Sequence, residues 1–216
     1  MRLVLVDVDG TLISGESTER SFIKYLWRQG QTGWRQWLSA LHFTLRWLPR
    51  YGKLVGKKNK AYLTGLSNAE IGAIAREFVY RELSARIRGE VRTRLQAHRQ
   101  AGDRVVLLTG TPDFIAQPLA ELLEVTDFRA TVCATRDGRF ICAPPLSHPY
   151  EADKLKIAQA LCRCFEVTMD QVVAYADDVS DLGLLEAVGC PVAVSADPGL
   201  RAAARTGGWE MLDCHS

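Results

Sequence analysis

The hydrophobic pattern of the chain changes its period along the sequence. Leu3-Val4-Leu5-Val6, Val105-Val106-Leu107-Leu108 and Val172-Val173-Ala174-Tyr175 are short, continuous apolar runs, the pattern of parallel strands covered on both faces. Each run stops at a polar cluster: Asp7 to Thr11, Thr109 to Thr111, and Asp177 to Asp181. Open parallel sheets bind their ligands beyond the carboxyl ends of the strands, so these clusters are expected to meet in one crevice. Between the runs, Pro112 to Leu123 and Ala152 to Phe165 read as helices, and Pro191 to Val194 as a further strand. Asp137-Gly138, between Thr131 to Ala134 and Phe140 to Cys142, predicts a two-residue hairpin. The fold class is α/β, a Rossmann-like parallel sheet with helices on both faces.

Residues 16–83 break this rhythm. They have helical period and are rich in Trp and Arg, which predicts a helical domain inserted into a core made of residues 1–15 and 84–216. Within it Trp34, Trp37, Leu38, Leu41, Leu45 and Leu48 recur at steps of three and four, giving one wide apolar face. The simpler expectation is that this face packs the inserted helices against each other. The sharper one is that Trp34, Trp37 and Trp47, with the surrounding arginines, form an amphipathic surface for anionic lipid or a lysophospholipid. A membrane span is excluded by His42, Arg46 and the flanking charges, because a span needs roughly 18 apolar residues in succession.

Composition adds three constraints. A chain of 216 residues that is 47% apolar can bury one core and a small accessory domain. A net charge of +2 argues against a nucleic-acid partner held by phosphate neutralisation. That average hides ten basic residues from Arg20 to Lys60 with no acidic residue among them, a stretch that needs an anion or water. Cys133, Cys142, Cys162, Cys164, Cys190 and Cys214 show neither a Cys-x-x-Cys pair nor zinc-ligand spacing and read as free thiols. Met1-Arg2 leads into too short an apolar run for a secretory signal, so a cytoplasmic location is expected.

Asp7-Val8-Asp9-Gly10-Thr11 sets two carboxylates at the end of a buried strand. A hard divalent cation would relieve their repulsion. A calcium loop would require glutamate at its twelfth position, where this chain has Thr18. Together with Thr109-Gly110, Lys154 and Asp177-Asp178-Val179-Ser180-Asp181, this segment resembles the four motifs of haloacid-dehalogenase-like (HAD) hydrolases, in their order and across the whole chain.

The resemblance implies that Asp7 is the nucleophile and forms an aspartyl-phosphate. Asp9 would protonate the leaving alcohol and then deprotonate the attacking water. Thr109, the amide of Gly110 and Lys154 would hold the phosphoryl oxygens, where negative charge spreads in the transition state. Asp7, the main-chain oxygen of Asp9, and Asp177 would bind Mg2+, with Asp181 orienting that shell and Asp178 secondary. Ala176 stands where many relatives have glycine.

A helical insertion between the first two motifs is similar to the cap of the phosphoserine-phosphatase-like branch, which implies a small soluble phosphate ester as partner. Glu16, seven residues after Asp9, matches a glutamate that faces the substrate amine there. Arg46, Arg50, Lys53, Lys57 and Lys58 are candidates for a substrate carboxylate, and an amino-alcohol phosphate would need none of them. The expected function is a magnesium-dependent phosphomonoester hydrolase. Its rivals are a phosphotransferase, a lysophospholipid phosphatase, and a non-catalytic phosphate-binding regulatory protein. The complete set Asp7, Asp9, Lys154 and Asp177 counts against the last.

Overall fold

A computed structural model describes residues 1–214. Six parallel strands form the sheet: β1 (Leu3–Val6), β2 (Arg104–Pro112), β3 (Asp127–Thr131), β6 (Val172–Ala176), β7 (Cys190–Val194) and β8 (Glu210–Leu212). A separate antiparallel pair consists of β4 (Thr135–Arg136) and β5 (Arg139–Phe140). The spatial order β3-β2-β1-β6-β7-β8 puts β1 at the centre, where the order reverses.

Alternation of side chains along each strand divides the core into two layers. Val4, Val6, Val105, Leu107 and Val173 face one side. They pack with Phe22 of α1 (Thr18–Arg28), Phe78 of α4 (Asn68–Phe78), Leu95 of α5 (Gly89–Gln100) and Ile115 of α6 (Asp113–Leu122). Leu3, Leu5, Val106, Leu108 and Ala174 face the other side. Their neighbours are Leu161 of α7 (Ala152–Cys164), Leu185 of α8 (Leu182–Leu185) and Leu200 of α9 (Pro198–Gly207). Continuous apolar runs are the result of this two-sided burial.

The helical insertion is not walled off from the sheet, since α1 and α4 share the first layer's core. Helix α2 (Trp34–Tyr51) is different. It meets the body through a small cluster of Phe43, Val55 and Ala61, with Trp47, Tyr51 and Cys142 around it; Val55 opens the short helix α3 (Val55–Lys58). The expectation that the Trp34–Leu48 stripe packs helix on helix is corrected here, because Trp34 is 68% and Leu45 66% exposed. The helix has a second apolar row, Phe43, Trp47 and Tyr51 at four-residue steps, and that row faces inward.

Two other details differ from the sequence reading. Thr131 closes the edge strand β3, and the hairpin pairs only Thr135–Arg136 with Arg139–Phe140. Its turn is the expected one, with φ of 49° at Asp137 and 74° at Gly138. Strand β8 was not anticipated, since Glu-Met-Leu is short and lacks a buried run. All six cysteines are free.

Candidate active site

Three strand ends deliver the polar clusters to one cleft of about 240 Å³. Asp7 follows β1, Asp177 follows β6, and Thr109 and Gly110 lie in β2 where its register with β3 shifts between Leu108 and Pro112. Such irregularities re-aim strand residues beside functional sites. Three larger cavities, of 980, 820 and 770 Å³, contain none of these groups. The chemistry, not the volume, identifies the cleft.

Lys154 enters from the first turn of α7 and is only 4% exposed. Its Nζ donates to Asp7 Oδ1 at 2.8 Å and to Asp181 Oδ2 at 2.6 Å. Two facing carboxylates hold the ammonium above its usual range, although burial works against the charge. Burial pushes Asp7 up to about 7; Lys154 opposes this, while Asp181 and Asp177 add to it. Asp177 is likewise raised, to about 6, mainly by burial, even though Thr11 Oγ1 donates to its Oδ1 at 2.9 Å. Asp7 and Asp181 thus share one ammonium with Asp177 close by, and Asp181 Oδ1 is buried with no partner.

This excess of negative charge fits a hard cation with oxygen ligands. Among the described residues no three His, Cys, Asp or Glu side chains form a metal cage by themselves. A cation here would therefore need main-chain oxygen beside Asp7 and Asp177. Gly10 leaves the room: its φ is 83°, and a Cβ there would overlap the Asp177 carboxylate.

Asp9 also lines the cleft, on the side of α1. Its Oδ1 accepts the Thr18 amide at 2.7 Å and its Oδ2 the Ser17 hydroxyl at 3.2 Å, so it caps α1 from a distance. Thr109 Oγ1 accepts the Thr111 amide at 3.0 Å, which leaves its hydroxyl proton for the cleft. Asp178 Oδ1 accepts the Ser180 amide at 2.8 Å, and its carboxylate lies on the cleft wall.

Glu16 is not brought into the cleft. It precedes the first turn of α1 and pairs with Lys24 at 2.7 Å on the outer surface. Glu19, one turn later, lines the cleft instead and holds both Lys60 and the Tyr62 hydroxyl. Of the five candidate cations, only Lys57 reaches the wall.

His148 and Tyr150, in the loop before α7, line the cleft and belong to no motif. The Thr131 hydroxyl donates to Gly110 O at 2.6 Å, so it accepts from His148 Nδ1–H at 2.7 Å. This assigns His148 Nε2 as a bare acceptor, and it is buried without a partner. Burial, reinforced by Lys60, Lys58 and Lys57, depresses the imidazole to about 3, so it stays neutral.

The chain is similar to several known proteins along most of its length. The phosphoserine phosphatase SerB1 of Mycobacterium tuberculosis is 29% identical over 96% of this chain and 69% of its own. A histidinol-phosphatase of Neisseria meningitidis is 28% identical over 98% of both chains. A Bordetella pertussis protein of unknown function superposes with a TM-score of 0.83 at 26% identity, covering 98% of each chain. The model of the haloacid dehalogenase-like hydrolase family matches residues 4–186. The chain is an enzyme that belongs to the haloacid dehalogenase-like hydrolase family.

Proposed function

We propose that this hydrolase is a magnesium-dependent phosphomonoesterase that works through an aspartyl-phosphate on a small ester of the phosphoserine or amino-alcohol phosphate type. The observation that carries this reading is the Asp7–Lys154–Asp181 bridge at the carboxyl end of the central strand. It sets a nucleophile 2.8 Å from a cation that can follow the phosphoryl oxygens.

Lys154 engages one Asp7 oxygen, and attack on phosphorus falls to the other. The ester P–O bond breaks as the P–O bond to Asp7 forms, and Asp9 gives its proton to the leaving alcohol. Water then attacks the phosphorus and loses a proton to Asp9, and the bond to Asp7 breaks to release phosphate. Thr109, the Gly110 amide and Lys154 hold the equatorial oxygens. Magnesium, held by Asp7, Asp177 and the main-chain oxygen of Asp9, would supply further neutralisation of phosphoryl charge. Residues 16–83 serve as a cap, contributing Glu19, Lys57 and Lys60 to the wall.

Size and polarity support a small substrate. The described residues that line the cleft are mostly charged or polar and include no Leu, Ile, Val, Met or Phe to receive an acyl tail, which disfavours a lysophospholipid. His148 Nε2 is a buried acceptor suited to an ammonium or hydroxyl of the substrate. The phosphoserine phosphatase and histidinol-phosphatase relatives act, by name, on esters that carry a primary amine.

The test is phosphate release from phosphoserine, histidinol phosphate and other amino-alcohol phosphates, sugar phosphates and lysophosphatidic acid, with magnesium and with EDTA. Magnesium-dependent release, highest on amine-bearing esters, is expected. No release from any ester overturns the reading. Phosphoryl transfer to added alcohols in place of water would identify a phosphotransferase.

A further inference from the structure

Helix α2 has two apolar faces and uses one. Phe43, Trp47 and Tyr51 anchor it, while Trp34, Trp37, Leu38, Leu41, Leu45 and Leu48 remain 46–68% exposed. Trp27 of α1, 58% exposed, extends the patch, with its ring centroid 6.2 Å from that of Trp37. An apolar surface this continuous is an interaction site, unlike single exposed residues.

Charge selects what it meets. The surrounding segment has ten basic residues from Arg20 to Lys60 and no acidic one. Among the described residues Arg35, Arg46 and Arg50 have no carboxylate partner; their guanidiniums lie 5.5–5.9 Å over the rings of Trp34, Trp47 and Tyr51. At about 100° per residue, Arg35 and Arg46 fall to one side of the exposed stripe, and Arg50 lies further round, next to the anchoring row. Two copies meeting through this face would bring like charges together. An anionic bilayer satisfies both parts, since Trp and Leu enter the headgroup boundary and Arg meets lipid phosphate.

We propose that the outer face of α2, with Trp27, docks this enzyme on anionic phospholipid membranes, lying in the interface. No helix among the described residues is long and apolar enough to cross one. The cleft walls include none of the stripe residues, so docking positions the enzyme without placing lipid in the active site.

The experiment is co-flotation of the full chain with vesicles of phosphatidylcholine alone and of phosphatidylcholine mixed with phosphatidylglycerol, read with tryptophan emission. Binding only to the mixed vesicles, a blue shift, and release by salt are expected. Leu41→Glu with Leu45→Glu should weaken binding by at least about ten-fold, and Arg35→Ala with Arg46→Ala by roughly five-fold per charge. Circular dichroism of each variant should match wild type. Absence of binding to mixed vesicles, or binding indifferent to the Leu41 and Leu45 changes, overturns the proposal. So does a concentration-dependent dimer, seen by light scattering, that these changes dissolve.

Discussion

Asp7 and Asp103 occupy opposite ends of neighbouring parallel strands and are treated in opposite ways. Asp103, just before β2, accepts the Arg2 amide at 2.8 Å, the Arg2 guanidinium, and His98 Nδ1 at 2.9 Å. His98 is held in turn by the Tyr175 hydroxyl at 2.9 Å. Burial works against the charge, but these bonds keep Asp103 below the usual carboxylate range. Asp7, just after β1, shares one ammonium with a second carboxylate and is raised to about 7. A carboxylate that holds a strand end in place is given donors in surplus. The one proposed as the nucleophile is left short of them, which leaves room for a substrate or cation to complete the set.

The largest test of this contrast is Asp7→Asn. Turnover should fall by roughly 10⁴-fold or more, while thermal stability holds or rises because the near-isosteric change removes a crowded charge. Retained phosphate release would refute the nucleophile assignment. Next, Lys154→Met should destabilise the metal-free protein by about 3–5 kcal/mol, because two buried carboxylates then face each other unpaired. Urea denaturation measures it, and an unchanged midpoint would remove the bridge from the account.

Asp103→Asn should behave in reverse, losing about 1–3 kcal/mol of stability with turnover near wild type. If it instead lost activity at full stability, the two ends of the sheet would not differ as described.

The last test concerns His148, through pH rather than through activity. Its folded pKa of about 3 lies below the ordinary 6.5. The unfolded chain therefore takes up a proton between these values that the folded protein refuses. Stability from this group is complete above about pH 6.5 and is lost as pH falls towards 3. Denaturation midpoints followed from neutral to acid pH should decline less steeply in His148→Gln than in wild type.

The strands and their polar ends were legible because two-sided burial forces continuous apolar runs, and chemistry clusters where those runs stop. Asp7, Asp177 and Thr109 are legible this way, Lys154 only through the resemblance to the family motifs, and the cleft brings all four together. Spacing from Asp9 points to Glu16, one helical turn short of the glutamate that lines the cleft. Asp9 pins Ser17 and Thr18, so the helix begins after Glu16, and Glu19 takes the inward position. Lys60 looked like one more surface cation in a basic run; its burial depends on Glu19, forty-one positions away, which no local pattern displays. His148 sits in a loop with no period to mark it. The tryptophan stripe had a clear helical period, but period defines a face and not its neighbour, and Phe43, Trp47 and Tyr51 won the inward side.

Gly10 makes mutational tolerance uneven around the cleft. Every other residue type would bring a Cβ into the Asp177 carboxylate, and the backbone there already has a φ of 83°. A neighbouring hydroxyl or carboxylate can drift through chemically similar replacements, losing function in increments. Position 10 offers no such gradual path, because the smallest available change is a whole methyl group. A chain that keeps Asp177 in this position is thereby committed to keeping an empty space beside it.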